Sequence, residues 1–265
     1  MIVAIDVGNT KISLGIIKGG DVASAHRAST RTVADAGDAE RVLGKLLAHD
    51  DAALSDVSEA WLSSVVPTAT DAIAEVCQRY SIALTVAGSA NVPMELRVPA
   101  AESVGQDRLM DAFAAAQLFE PPLIVVDLGT ATTFNAVAAD GAFIGGAIAP
   151  GLGLGLDALA EKTAQLPRVP ITRPAKAVGG DTVSAIMSGA LIGYRGLVRE
   201  VLEAMSQEMT ADGSDRPKVI LTGGLSTSDW AQTIAGVDAV EPLLVLRGLA
   251  LLKREMMALP KVAHT

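Results

Sequence analysis

The sequence has little of several residue types by which protein classes are often recognised. Its 265 residues include one cysteine, Cys77, so a disulfide framework and a cysteine-rich metal site are excluded. Aromatic residues make up only 3% of the chain although 50% is hydrophobic, so the core is built mainly from aliphatic side chains. The formal net charge of -9 lacks the basic excess that a general nucleic-acid-binding protein needs.

Long hydrophobic runs are also missing. The longest uncharged stretch, residues 141–156, has 16 residues and is interrupted by several glycines and by Pro150, which disfavours a membrane helix. The chain opens directly into a predicted strand, without the basic segment, apolar segment and cleavage site of a secretion signal. We therefore expect a cytoplasmic protein that has neither a membrane nor a nucleic acid as its partner.

One short pattern occurs twice in the chain. IVAIDVGNT begins at Ile2 and LIVVDLGTATT begins at Leu123, which places Asp6 and Asp127 121 residues apart. In each copy an apolar run typical of a buried strand ends in a turn that contains Asp, Gly and Thr. Glycine allows an anion to approach the backbone, threonine offers a hydroxyl group, and aspartate can hold Mg²⁺ directly or through water. The pattern predicts two phosphate-binding loops that hold ATP in a cleft between two related halves.

The order of predicted elements is repeated in the same way. A Gly-Gly turn pairs residues 11–17 with 21–27 as a β-hairpin, and strands then alternate with amphipathic helices, as in a sheet with parallel crossovers. Near Pro121 the order starts again, with predicted strands at 123–127, 132–138 and 142–148. The expected fold is α/β, with duplicated actin-like (ribonuclease H-like) domains of mixed five-stranded sheets flanked by helices. We expect domains at 1–119 and 120–265.

Two further motifs carry candidate chemistry. GQDR begins at Gly105, where a loop meets a predicted helix, so Asp107 is either a helix cap or a group that orients a hydroxyl for phosphoryl transfer. Arg108 beside it is either a surface cation or the binding group for an anionic substrate. VILTGGLS, which begins at Val219, is a strand that leads into Gly223 and Gly224, and this pattern suits close approach to adenine and ribose.

Other nucleotide-binding motifs are absent from the sequence. The stretch GLGLG fails the GxGxxG spacing because position 156 is Leu, and no GxxxxGK[ST] occurs. The three histidines share no metal-ligand spacing, and no Ser/His/Asp set has a recognisable local context. These absences leave the two aspartate turns as the main evidence for phosphate chemistry.

Eight motifs in order resemble those of the type III pantothenate kinases. They are DVGNT, SSVVP, GQDR, DLGTATT, GGAIAPGL, LDALAEKTAQLPRV, DTVSAIMSG and VILTGGL, and the match spans nearly the whole chain, from Ile2 to about Leu252. The resemblance implies an actin-like fold and ATP-dependent phosphorylation of pantothenate, the first step towards coenzyme A. It also implies a homodimer with sites at the subunit interface, and a requirement for Mg²⁺ and a monovalent cation, K⁺ or NH₄⁺.

The resemblance also assigns roles to individual residues. Asp107 is the expected catalytic base, Asp127 is associated with the monovalent cation, and Asp6 holds Mg²⁺ through water. The expected ATP phosphate-binding residues are Asp6, Gly8, Asn9, Thr10, Lys11, Gly129 and Thr130. The adenosine-side residues are Gly223 and Gly224, and the substrate-binding residues are Gly105, Gln106, Arg108 and Thr182, with Thr182 reaching the substrate from the partner subunit.

One segment departs from the family pattern and keeps two alternatives open. Leu96, Arg97 and Val98 stand where the family usually carries a Tyr and an Asn ahead of a Pro. This change favours a non-catalytic or altered-substrate paralogue that binds a metabolite or acts as a regulator. A small sugar kinase is the other alternative, because DVGNTK is similar to the DxGGTK opening of some of those enzymes.

Overall fold

Two units of the chain are each built around a five-stranded sheet. In this computed structural model residues 1–211 and 213–258 are described. Met1–Leu118 and the described residues from Leu243 onward form the first unit, and Phe119–Pro242 form the second. The strands of the first sheet are β1 (Ile2–Val7), β2 (Lys11–Lys18), β3 (Asp21–Ser29), β4 (Glu59–Ser64) and β5 (Ala83–Val86). Those of the second sheet are β6 (Leu123–Leu128), β7 (Ala131–Val137), β8 (Phe143–Pro150), β9 (Lys218–Thr222) and β10 (Ala239–Val240).

The two sheets have the same topology. The strand orders are β3-β2-β1-β4-β5 and β10-β9-β6-β7-β8, so each strand of the first sheet has a counterpart five strands later. In each sheet the first three strands are antiparallel, and the fourth strand pairs in parallel with the first. The expected duplicated α/β fold with mixed five-stranded sheets is confirmed.

Helices flank both sheets. The first unit contains α1 (Ala36–Ala48), α2 (Pro67–Arg79), α3 (Gln106–Leu118) and, at its end, α6 (Leu244–Ala258), and the second contains α4 (Leu152–Lys162) and α5 (Thr182–Met209). Local chemistry sets where they begin: the Asp35 carboxylate caps α1, and Pro67 occupies the first turn of α2. Where α2 lies in the first unit, the second unit has a short 3₁₀ turn, Ala231–Thr233.

Helix α6, the last described element, belongs to the first unit, whereas the sequence analysis expected it within the domain 120–265. Leu246, Leu249 and Leu252 of α6 are buried in one apolar cluster with Leu109 and Phe113 of α3. Since each helix buries its apolar face against the other and against the first sheet, α6 is part of that unit's core. The sequence alone did not predict that α6 packs against the first unit. Its hydrophobic pattern predicts that one face of the helix is buried, but it does not predict which surface covers that face.

Among the helices in residues 1–211 and 213–258, none combines the length and the apolar content required to cross a lipid bilayer. The longest, α5, has 28 residues and includes charged side chains throughout its second half.

Candidate active site

The first aspartate turn is braced by backbone and hydroxyl hydrogen bonds. The Gly8 N–H donates to the Lys11 carbonyl at 2.9 Å, which closes the turn between β1 and β2. The Thr30 hydroxyl donates to the Gly8 carbonyl at 2.8 Å, and the Thr30 N–H donates to the Thr10 carbonyl at 3.0 Å. The turn is therefore fixed from the residue that follows β3, while Asn9 and Lys11 remain exposed.

The second aspartate turn is similar and one residue shorter. The Gly129 N–H donates to the Ala131 carbonyl at 3.1 Å, and the Gly151 N–H donates to the Thr130 carbonyl at 3.1 Å. A Cβ at position 151 would lie only 2.3 Å from that Thr130 oxygen, so glycine is required for the contact. The chain after β8 thus supports the second turn, as Thr30 supports the first.

Each aspartate lies between two hydroxyl-bearing residues on neighbouring strands. Asp6 is in register with Ser13 of β2 and Ser63 of β4. In the second sheet, Asp127 is in register with Thr133 of β7 and Thr222 of β9. Residues in register on adjacent strands have their side chains on the same face. Both units therefore present a carboxylate flanked by hydroxyls at the end of the central strand, and the sequence motifs did not reveal these four partners.

The turn after β9 lies against Asp127. Gly223 has φ +92°, and a Cβ there would come 2.0 Å from Asp127 Oδ1 and 2.7 Å from the Leu128 nitrogen. Only a glycine fits at this position, in both conformation and volume. The structure thus brings the predicted adenosine-side glycine and the predicted cation-binding aspartate together within the second unit, and Gly224 beside them is exposed.

Asp107 lies in the first turn of α3 and is largely removed from water. Burial raises the pKa of its carboxyl, against the opposing effects of the Arg108 backbone N–H and the Arg108 charge. The Arg108 N–H donates to Asp107 Oδ1 at 2.7 Å, so the carboxylate folds back on the helix end. Gly105 makes room for it, because a Cβ there would lie 2.7 Å from the same oxygen. The carboxyl is thus held in a desolvated place where its basicity exceeds that of an ordinary aspartate.

Gln106 fixes the start of α3 at the carboxyl end of β4 in the first sheet. Its Oε1 accepts a hydrogen bond from the Ser64 N–H at 3.1 Å. Ser64 is the last residue of β4, and the residue before it, Ser63, is in register with Asp6. This bond therefore brings the GQDR segment to the same end of the sheet as the first aspartate turn, where β1 and β4 both end. Binding of substrate by Gln106 itself stays a prediction.

Sequence reasoning missed Asp111, one helical turn after Asp107. Its side chain is only 1% exposed, and it lies on the same face of α3 as Arg108, three residues earlier. Burial lowers the pKa of Arg108, while the Asp107 and Asp111 charges raise it. A carboxylate within the apolar half of an amphipathic helix, three residues after an arginine, was the available signal.

A second missed residue is Tyr194 of α5. Its hydroxyl lies 2.6 Å from Thr132 Oγ1, directly after the second aspartate turn. The pKa of Tyr194 is raised to about 12, mainly by burial. The Thr132 hydrogen bond opposes this increase, and the Asp127 charge adds to it. The pair connects the core helix of the second unit to the strand that leaves the turn.

Two predicted substrate regions are exposed in the chain. Thr182 is the first residue of α5 and follows Asp181, whose carboxylate caps the helix by accepting from the Ser184 N–H at 2.9 Å. The Arg97 guanidinium pairs with the Glu95 carboxylate through two contacts of 2.9 and 3.0 Å, so this part of the departing segment carries an internal ion pair. The role of Thr182 stays a prediction.

The residues fit cations that bind mainly to phosphate and oxygen. Within residues 1–211 and 213–258, no three His, Cys, Asp or Glu side chains are grouped as a metal-binding cage. A single carboxylate with flanking hydroxyls suits Mg²⁺, which usually keeps several waters and binds through one or two carboxylates and the substrate phosphates.

Comparison with known proteins identifies relatives over most of the chain. The family model described as type III pantothenate kinase matches residues 2–204. A type III pantothenate kinase of Rhodospirillum centenum is 38% identical over 255 residues, which cover 95% of this chain and 97% of the relative. One of Dehalococcoides mccartyi is 36% identical over 250 residues, with 94% and 93% covered.

Solved structures of low identity share the fold. The activator of the 2-hydroxyisocaproyl-CoA dehydratase from Clostridium difficile, with bound ADPNP, has a TM-score of 0.52 at 15% identity and covers 99% of both chains. MreB5 of Spiroplasma citri, bound to ADP, has a TM-score of 0.53 at 11% identity, with 96% of each chain covered. At these identities the likeness supports the architecture alone.

Proposed function

Because the chain belongs to the type III pantothenate kinase family, and so phosphorylates pantothenate with ATP at the first step of coenzyme A biosynthesis, we propose a role for each site residue. The observation that carries the assignment is the duplicated aspartate, held between two hydroxyls at the end of the central strand of each sheet. Two anion-binding turns suit a triphosphate, because it has several charged groups that must be bound.

The two braced turns bind the ATP phosphates. Their backbone N–H groups and the hydroxyls of Thr10 and Thr130 supply donors, and Lys11 adds a charge. Glycine at positions 8 and 129 lets the phosphate oxygens approach the backbone closely. Gly223 and Gly224 form the adenosine-side turn, where the glycine backbone lets a flat ligand approach closely.

Asp107 orients the primary hydroxyl of pantothenate and accepts its proton as the phosphoryl group is transferred. Burial raises its pKa, so the carboxylate is a stronger base than an exposed aspartate. Arg108, whose guanidinium is half-buried, binds the pantothenate carboxylate or the transferring phosphoryl group. Gly105 and Gln106 hold this segment in place beside the substrate.

Cations complete the electrostatics. Asp6 holds Mg²⁺ through water and Asp127 holds K⁺ or NH₄⁺, and both aspartates have the oxygen-rich surroundings that these cations prefer. When bound, the cations neutralise charge on the phosphates. The use of ATP and the single cysteine suit a reducing cytoplasm.

A second copy of the chain completes the substrate site. The outer strand β8 presents Ile148 at 63% exposure and Ile144 at 38%, and α4 presents Leu154 and Leu159. Ile144 and Ile148 lie on one face of the outer strand β8, and exposed apolar side chains there favour burial against a partner. We assign this surface to the homodimer, in which Thr182 of one copy contacts pantothenate bound to the other. Light scattering of wild type and Ile148→Glu measures the expected shift from dimer to monomer.

A phosphoryl-transfer assay tests the function. Purified protein with ATP, Mg²⁺ and K⁺ is expected to phosphorylate pantothenate in preference to pantetheine and to several sugars. Asp107→Asn is expected to lower kcat roughly 100-fold or more while ATP binding, measured by calorimetry, stays within about twofold. Asp71→Asn, on the exposed face of α2, is the matched control. Preferential turnover of a sugar, or near-normal kcat in Asp107→Asn, would contradict the proposal.

A further inference from the structure

A cavity in the second unit is lined by two arginines that take no part in the kinase site. It has a volume of about 260 Å³ and lies between the middle of α5 and the residues that follow the 3₁₀ turn Ala231–Thr233. Arg195 and Arg199 come from the helix, and Ile192, Ile234 and Ala235 add apolar walls. The cavity thus combines positive charge with an apolar surface.

The two arginines are placed without compensating acids. They are four residues apart on one helix, so their side chains are neighbours and their charges repel each other. Within residues 1–211 and 213–258, no carboxylate lies within ion-pair distance of either guanidinium. This arrangement has an electrostatic cost that a bound anion would remove.

Arg195 also carries an unsatisfied donor. Its Nη2 donates to the Thr233 carbonyl at 3.3 Å, while its buried Nε has no hydrogen-bond partner among the described residues. Buried N–H groups normally have an acceptor, because leaving one unpaired costs the free energy of its desolvation. An oxyanion in the cavity would supply the missing acceptor.

The acidic side chains nearest to the two arginines on α5 do not form ion pairs with them. Glu203 Oε1 accepts from the Gln207 amide at 3.5 Å, so it is not paired with Arg199 one turn earlier. Glu200 is exposed on the same helix. Gly196 also lines the cavity and leaves open space there, since a Cβ at this position would meet nothing within 4 Å. The helix surface at the cavity is therefore open as well as basic.

We propose that this cavity binds a small phosphate-bearing molecule with a short apolar arm. Guanidinium groups present forked donors that match phosphate oxygens, and two of them one turn apart can hold a single phosphate. The apolar arm would pack on Ile192 and Ile234. Pockets for drug-sized ligands begin near about 300 Å³, so this smaller volume selects a ligand of few atoms.

Calorimetry with propyl phosphate and inorganic phosphate, at constant ionic strength, tests the site. Propyl phosphate is expected to bind the wild-type protein more tightly than inorganic phosphate does, because only it has an apolar arm. Arg199→Gln, at an exposed position, is expected to weaken propyl phosphate binding about tenfold. Arg254→Gln on α6 removes the same charge from the first unit and is expected to leave the affinity within about twofold.

A second variant distinguishes a loss of phosphate binding from a loss of folding. Arg195→Lys keeps the charge but loses the forked donor and is expected to weaken binding by a similar factor, with thermal unfolding confirming that the variant is folded. Phosphate that binds instead at the two aspartate turns would be unaffected by either substitution. Unchanged affinity in both variants, or no heat of binding at millimolar propyl phosphate, would overturn the proposal.

Discussion

Gly223 lies so close to Asp127 that a Cβ at position 223 would come 2.0 Å from the Asp127 Oδ1 atom. The glycine also has φ +92°, a conformation that side chains with a Cβ rarely adopt. The position and orientation of the Asp127 carboxylate therefore depend on the absence of a side chain at residue 223, directly after the neighbouring strand β9. The relation joins the turn after β9 to the end of β6 within one unit.

Replacing Gly223 by alanine is expected to destabilise the second unit and displace the Asp127 carboxylate. Steric overlap and positive φ together are expected to cost roughly 3 kcal/mol or more, measured as a lowered Tm in thermal unfolding. Nucleotide affinity, measured by calorimetry, is expected to fall as well. Gly44→Ala in α1 is the control, because a Cβ there meets nothing within 4 Å and alanine favours helix. A Gly223→Ala protein with wild-type Tm would contradict this relation.

Removing the Asp111 carboxylate is expected to be costly. Asp111 is 1% exposed and its charge stabilises the half-buried Arg108 cation. Breaking a buried pair by removing one partner leaves an uncompensated charge, so Asp111→Asn is expected to destabilise the protein by about 3 kcal/mol. Chemical denaturation measures this difference.

A surface carboxylate provides the matched control for Asp111. Asp157 pairs with Arg168 at 2.6 Å, and both side chains are more than half exposed, at 51% and 65%. Exposed pairs contribute little, so Asp157→Asn is expected to change the free energy of unfolding by less than about 1 kcal/mol. Equal losses in Asp111→Asn and Asp157→Asn would show that the Asp111 charge is not part of a buried pair.

The sequence predicted the chemistry of the strand ends better than the contacts that hold them. Asp6 and Asp127 were recognisable because a buried strand followed by Asp and Gly is a local pattern. The hydroxyls beside them, such as Ser63 and Thr222, lie on strands that are distant along the chain. Their placement follows from register, which one local motif does not encode.

The same limit explains the remaining differences. Asp107 and Arg108 were singled out by adjacency, whereas the burial that raises the Asp107 pKa depends on packing of the whole first unit. The partner of α6 was missed for a similar reason, because Leu249 marks a buried face and does not specify α3 as the surface that covers it. Local motifs thus predicted the chemical groups, and long-range packing determined their environment.

Asp107 is expected to make stability and activity respond in opposite ways to rising pH. Burial raises its pKa in the folded protein above the unfolded value of about 3.9, so folding favours the protonated form. That contribution is fully present below the unfolded pKa and is lost as pH rises through the folded pKa. Turnover is expected to rise over the same range, because the carboxylate is the active form.

The variant Asp107→Asn separates these two effects. Since asparagine does not titrate, its Tm is expected to fall less than that of wild type as the pH rises above the unfolded aspartate pKa of about 3.9, although its kcat stays low throughout. Thermal unfolding and steady-state rates across this range provide the measurement. A parallel Tm profile in both proteins would mean that Asp107 does not keep its raised pKa.

The hydrogen bond between Tyr194 and Thr132 is expected to couple α5 to the second aspartate turn. The two oxygens are 2.6 Å apart and buried, so among the described residues Tyr194→Phe leaves the Thr132 hydroxyl with only the Pro150 carbonyl at 3.5 Å. Loss of the bond is expected to cost about 1–2 kcal/mol in the free energy of unfolding. Thr132→Val is expected to cost a similar amount, because it leaves the buried phenol without its partner.

A double-mutant cycle distinguishes this bond from simple packing. When both groups are removed, no buried donor or acceptor is left unpaired, so the loss in the double variant is expected to be smaller than the sum of the single losses by at least about 0.5 kcal/mol. Additive losses would mean that the two hydroxyls act independently. Because Thr132 follows the turn that contains Gly129, the single variants are also expected to weaken ATP binding, whereas Tyr80→Phe, whose hydroxyl bonds to Glu40 at 2.7 Å in the first unit, is expected to leave it unchanged.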